Sequence, residues 1–200
     1  KKFWPRDFVN LKPCLFTRSI VALRDDSLLF MVSTPFCILL QGLVQNFLID
    51  DNIVDKIVAG AGIGPSDKII EVGPGIGTLT REMASKAQSL MAVEIDKNLI
   101  PILTDTLGDY ENVKIVNEDI IKADIRGLID ENLDGGPVKL VANLPYYITT
   151  PIIMRFLEED INVTDIVVMV QKEVAERMNA QPGGKDFGAL SVAVQFYCDI

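Results

Sequence analysis

From about residue 50 onward the spacing of apolar positions alternates between the helical and the extended period. Ile53, Ile57 and Val58 share one face of a predicted helix over 52–61, which Gly60 and Gly62 close. A short apolar strand over 68–72 runs into the glycine loop Glu71-Val72-Gly73-Pro74-Gly75-Ile76-Gly77. The pattern then predicts a helix over 78–86, a strand over 90–95, a helix over 97–107 capped by Asp96, and a strand over 113–116. Residues 120–132 read as loop and helix, and Gly135-Gly136-Pro137 as a turn. A strand over 138–142 follows, then a helix over 150–159 and a strand over 166–170. A helix over 172–180 is expected to carry an i,i+4 pair, Glu173 with Arg177; the loop 181–185 and a last element over 189–197 complete the pattern.

Strands alternating with helices imply an α/β fold: a doubly wound, mainly parallel, Rossmann-like sheet covered on both faces. Right-handed crossovers bring the carboxyl ends of the strands to one edge, where ligands bind in such sheets. Gly73, Glu94, Asp119 and Asn143 all fall at those ends. That shared placement says more than any one short motif.

Residues 1–41 show no such alternation and are expected to form a separate, atypical N-terminal segment, poorly ordered or buried, ahead of a catalytic domain over 42–200. No charge occurs from Ser27 to Ile49, and 28–40 is strongly apolar. A membrane span needs about 20 mostly apolar residues, and Pro35, Gln41, Gly42, Gln45 and Asn46 interrupt this stretch. Trp4, Pro5 and Asp7 fit a secretory leader badly.

Composition narrows the chemistry. Two hundred residues with 48% hydrophobic content can bury one sizeable core. The chain contains no histidine, which excludes His-based triads and the usual zinc sites. Cys14, Cys37 and Cys198 have neither metal nor disulfide spacing, so no metal is expected and the reading is a cytoplasmic, reducing setting. The net charge is −9; residues 1–42 hold six Lys/Arg against three Asp/Glu, leaving the body strongly acidic. Such a balance weighs against gripping a polyanion, although charge is a weak guide to chemistry.

The loop glycines Gly73, Gly75 and Gly77 let a backbone approach a ligand without Cβ clashes. Their Gly-x-Gly-x-Gly spacing is tighter than the dinucleotide fingerprint, and with Glu71 ahead of it the loop looks more like an S-adenosylmethionine site than a plain turn. Glu94, at the end of the second strand of the alternating pattern, can accept from both ribose hydroxyls; otherwise it is a solvated acid. Asp119 can accept from the cofactor's adenine amine, or serve as a helix cap. Asn143-Leu144-Pro145-Tyr146 is the strongest signal. The Asn143 side-chain oxygen and the Leu144 carbonyl can hold the two protons of an exocyclic amine while Tyr146 stacks on the base. The bland alternative is an ordinary Asn-Pro turn. Gln45–Asp50 precedes the first helix of this pattern, placed to close over the methionine end of the cofactor or simply to lead into the helix.

Together, QNFLID, EVGPGIGTLT, EID, NED, VANLPYYITTPI, VVMVQKEVAERM and GALSVAVQFY resemble, in order and spacing, the small-subunit rRNA adenine dimethyltransferases. The resemblance covers about residues 45–199. It implies that Asn46, Leu48, Gly73, Glu94, Asp119 and Asn143 contact S-adenosylmethionine, and that Asn143, Leu144, Pro145 and Tyr146 hold the target adenine. It implies dimethylation of two adjacent adenines near the 3′ end of small-subunit rRNA during ribosome assembly. The partner would be that rRNA or the pre-ribosomal small subunit; no membrane partner is expected, and the protein would act as a monomer. Measured against the family's pattern, the last strands, a second base-stacking aromatic and a helical C-terminal domain are missing. The last apolar strand, 166–170, would then present an open edge. The competing readings are a large-subunit rRNA adenine methylase, an inactive fragment that only binds cofactor or RNA, and, more distantly, a nicotinamide oxidoreductase.

Overall fold

The computed structural model describes residues 19–25, 28–34, 37–40, 51–144 and 148–198, with side chains from residue 52 onward. Three strands come first: β1 (Ser19–Asp25), β2 (Leu28–Thr34) and β3 (Cys37–Leu40). The alternating body follows as α1 (Asp51–Gly60), β4 (Lys68–Val72), α2 (Thr78–Ala84), β5 (Ser89–Val93), α3 (Leu99–Leu107), β6 (Val113–Val116), α4 (Ile125–Leu133) and β7 (Val138–Asn143). It continues as α5 (Thr149–Glu158), β8 (Val163–Met169), α6 (Lys172–Met178) and α7 (Ala189–Tyr197).

The main sheet has the order β3-β8-β7-β4-β5-β6, and all its recorded pairings are parallel. The chain winds outward from β4 through β5 to β6, then returns to the other side of β4 for β7 and β8. The winding therefore reverses between β4 and β7. The two faces of the sheet follow the period of two. Ile69, Leu90, Ala92, Val141 and Val167 face α1 and α2, packing with Val54, Ile57, Val58, Leu79 and Met83. The alternate positions Ile70, Met91, Val93, Leu140 and Val168 face α4, α5, α6 and α7. Central strands buried on both sides read as continuous apolar runs, as residues 90–93 of β5 and 166–169 of β8 do. Each covering helix supplies one apolar stripe at i, i+3, i+4 spacing, as in Ile152, Ile153, Phe156 and Leu157 of α5.

Two lysines tie the opposite, N-terminal edge of the sheet to helix C-termini. Lys139 Nζ donates to the carbonyls of Ala61 and Gly62 after α1, at 3.0 and 3.2 Å, and pairs with Asp67 at 3.1 Å. Lys68 Nζ donates to the carbonyls of Leu133 and Gly135 after α4, at 2.6 and 3.0 Å. Cations at these carbonyl-rich ends complement the helix dipole.

Four expectations need correction. Residues 19–40 include three strands: β1 and β2 form an antiparallel pair, and β3 joins the main sheet. An unbroken apolar run does not distinguish strand from buried helix by period. Among the described residues no helix is long and apolar enough to cross a membrane. Second, the outer side of β8 is not open, because Cys37–Leu40 pairs with Ile166–Met169 in parallel register. Third, Asp96 does not cap α3. Its Oδ1 accepts from the Asn98 amide and side chain at 2.9 and 2.8 Å, closing a turn before the helix, and Asn98 is the cap position. Fourth, the ion pair on α6 is Lys172 with Glu176, at 3.7 Å, not Glu173 with Arg177.

Candidate active site

Backbone geometry builds the glycine loop before any side chain contributes. Gly73, Gly75 and Gly77 have φ of +70°, +62° and +88°, the left-handed region that glycine alone adopts freely. Gly77 opens α2, and a Cβ there would also meet Leu107 Cδ2 at 3.3 Å, so α3 packs tightly on the loop. At Gly73 the position of a Cβ is open space within 4 Å, leaving the backbone approachable. The Gly73 amide donates to the Val93 carbonyl at 3.0 Å, which fixes the loop beside the end of β5.

The next strand ends carry the acids. The Glu94 amide donates to the Val116 carbonyl at 2.9 Å, joining the ends of β5 and β6. Glu94 is only 5% exposed, and its Oε1 accepts from the Asp96 amide at 2.9 Å. It is thus a held carboxylate and not a solvated acid. Asn117 Nδ2 donates to the Glu94 carbonyl at 2.7 Å and fixes the backbone that carries it. Asp119 follows β6. Its Oδ1 accepts from the Ile121 amide at 3.0 Å and its Oδ2 pairs with Lys122 at 2.8 Å. The hydrogen bond from Lys122 leads in holding the Asp119 carboxyl below its ordinary value, followed by the Ile121 amide. Asp119 therefore caps a turn, and a ligand amine would compete with the solvent-exposed Lys122 for Oδ2. Arg155 of α5 supports this loop by donating to the carbonyls of Ile120 and Ala123 at 2.6 and 3.0 Å.

Between β4 and β7 the ladder is recorded only at Ile69 with Lys139 and Ile70 with Leu140. It stops two residues before β4 ends and three before Asn143. The winding reverses between these two strands, with Gly73 beyond one and Asn143 ending the other. That is where open α/β sheets hold their ligands. Asn143 is half-buried, and the Leu144 side chain is buried in the face packed by α5. Asn46, Leu48, Pro145 and Tyr146 lie outside the described residues.

The structure brings Gly73, Gly75, Gly77, Glu94, Asp119 and Asn143 to one edge. It adds residues that the pattern did not single out. The apolar pattern predicts a strand through Ile95, but β5 ends at Val93 and Ile95 is 63% exposed between Glu94 and Asp96. An exposed apolar wall there suits the face of a planar ring. Glu71 is 2% exposed beneath the glycine loop, and burial pushes its carboxyl up to about 8. The nearby Thr80 hydroxyl favours the charged form, and Glu94 opposes it. Even so, neither Glu71 Oε2 nor Thr80 Oγ1 closes a hydrogen bond of good geometry among the described residues. No cluster of metal-ligating side chains occurs among them either.

Sheet order, glycine loop and acidic strand ends together define a Rossmann-like methyltransferase domain. A dimethyladenosine transferase from Plasmodium falciparum has this fold at a TM-score of 0.61 and 28% identity, over 75% of this chain and 52% of that one. The 23S rRNA methyltransferase ErmE matches at 0.53 and 30%, over 66% and 50%. The chain belongs to the ribosomal RNA adenine dimethylase family, whose model matches residues 41–200. It is 70% identical over 159 residues to ribosomal RNA small subunit methyltransferase A of Clostridioides difficile, and 54% over 160 residues to that of Bacillus licheniformis. Each match takes 80% of this chain and 55% of the relative, so the chain spans little more than half the length of these relatives.

Proposed function

We propose that the domain binds S-adenosylmethionine and methylates the exocyclic amines of two adjacent adenines in small-subunit rRNA during ribosome biogenesis. The observation that carries this reading is the reversal of the winding between β4 and β7, with Gly73 beyond the end of one strand and Asn143 at the end of the other. It sets a nucleotide-type loop beside an amide acceptor at the switch point of the sheet. The names of the relatives, small subunit methyltransferase A at 54–70% identity, support the substrate class.

The residues present fit the cofactor. An approachable Gly73 backbone suits its methionine end, the held Glu94 carboxylate its ribose, and Ile95 with Asp119 its adenine. Asn46 and Leu48 would cover the methionine end. When bound, the cofactor supplies an electrophilic methyl group on a sulfonium. The rest is positioning by the chain. Asn143 Oδ1 and the Leu144 carbonyl accept the two amine protons, which directs the nitrogen lone pair at the methyl. Burial of the Leu144 side chain fixes that stretch of backbone, and Pro145 with Tyr146 would stack the base. Catalysis of this kind draws on orientation and charge placement more than on a strong base.

The test uses the chain both alone and extended by the remaining C-terminal part of the C. difficile relative. Each is incubated with labelled S-adenosylmethionine and unmethylated small-subunit particles, and the RNA is digested to nucleosides. Dimethyladenosine that depends on Asn143 is expected from the extended chain. Label appearing only in large-subunit rRNA, or equal turnover by Asn143→Ala, would overturn the reading.

A further inference from the structure

Glu71 and Thr80 are left unused by the scheme above. β4 directs Glu71 toward the face covered by α1 and α2, directly before the glycine loop. Two polar atoms there, Glu71 Oε2 and Thr80 Oγ1, are buried without a partner among the described residues. Buried polar groups are nearly always satisfied, so such a pair calls for an explanation. Of the described groups, Thr80 from α2 and the Glu94 carboxyl just after β5 act on Glu71. The α1 and β7 side chains on this face, Ile57 and Val141 among them, are apolar and carry no charge. Among the described residues no cation therefore neutralises the Glu71 carboxyl from this side of the fold.

We propose that Glu71 is a positioning residue that holds a proton while the cofactor pocket is empty and releases it to solvent when a sulfonium cation binds, making cofactor binding proton-linked. The inference rests on the S-adenosylmethionine reading of the site. The balance is simple: the Glu71 O–H bond breaks, the proton goes to bulk water, and the carboxylate left behind faces a bound positive charge. With the pocket empty, a second anion beside Glu94 in a dry environment is unfavourable, and the proton stays. A bound sulfonium supplies the missing countercharge. The thioether product has lost that charge, so its binding releases less of the proton and gains less affinity as pH rises. Ionised Glu71 therefore favours substrate over spent cofactor, which a carboxyl of purely structural role does not do.

The test is titration calorimetry of the 200-residue chain with S-adenosylmethionine and with S-adenosylhomocysteine from pH 6.5 to 9. Each is run in two buffers of different ionisation enthalpy. The α-amino group of both ligands also titrates in this range, but it does so equally with every variant and cancels in the comparison. Wild type should release more protons on binding the sulfonium than Glu71→Gln does. Its preference for sulfonium over thioether should rise about tenfold across the range, while that of the variant stays flat. Thr80→Val removes the group that favours the charged form and should move the wild-type transition to higher pH. It serves as the second probe should Glu71→Gln fold poorly. Equal proton release and parallel pH profiles for wild type and both variants would overturn this inference and leave the cofactor reading intact. No binding of either ligand at any pH would overturn both.

Discussion

Gly77 shows how a single atom can hold the site in shape. Its φ of +88° and the 3.3 Å approach of Leu107 both exclude a side chain. Gly77→Ala should cost about 1–3 kcal/mol from left-handed strain, with a further loss from displacing α3, read as a lower urea midpoint at unchanged slope. Glu71 gives the opposite lesson, a residue the fold tolerates at a cost. Its carboxyl is raised from 4.5 to about 8, so between these values the folded state binds more protons than the unfolded one. Its contribution therefore lowers stability as pH rises through that window, at up to about 1.4 kcal/mol per pH unit. Glu71→Gln should flatten the fall in urea midpoint between pH 5 and 8; an unchanged slope would show that Glu71 is not the group responsible. The glycines and acids at the strand ends were legible in the sequence because their types and spacing suffice. Ile95 and the buried state of Glu71 were not. Whether an apolar residue turns outward, or an acid inward, depends on where a strand stops, and the spacing placed the end of β5 two residues late.

At the scale of elements, the alternation of strand and helix from α1 to α7 was readable because β4, β5, β7 and β8 are buried on both faces and the helices on one. The errors fell where tertiary contacts decide. Asp96 closes a turn because Asn98 competes for its carboxylate, and the pairing on α6 follows the positions of Lys172 and Glu176. β1, β2 and β3 were missed because their apolar runs have no usable period. Yet β3 covers an edge that would otherwise expose the backbone of Ile166–Met169. An apolar strand with an open edge is a template for self-association. Removing residues 1–40 should therefore promote concentration-dependent association relative to the 200-residue chain, seen by light scattering. It should leave S-adenosylmethionine affinity unchanged, since no proposed contact lies before Asn46. A trimmed chain that associates no more than the 200-residue chain would show that β3 does not protect this edge.

Across the whole molecule the parts agree on cofactor chemistry and disagree on RNA. The chain belongs to the ribosomal RNA adenine dimethylase family, and its glycine loop lies at the carboxyl edge of the sheet, where the proposed cofactor site is set. The net charge of −9 gives little to attract a phosphate backbone, and the relatives extend well beyond the matched region. The proposal therefore assigns cofactor recognition, and not RNA grip, to the residues described here. Equilibrium binding of labelled S-adenosylmethionine to this chain, in competition with unlabelled NAD, tests that recognition without any RNA. Saturable binding that NAD does not displace is expected. Glu94→Ala should weaken it by about 1.5–3 kcal/mol, the worth of hydrogen bonds to a charged group. Saturable NAD binding with none of S-adenosylmethionine, or affinity indifferent to Glu94→Ala, would contradict the site as assigned.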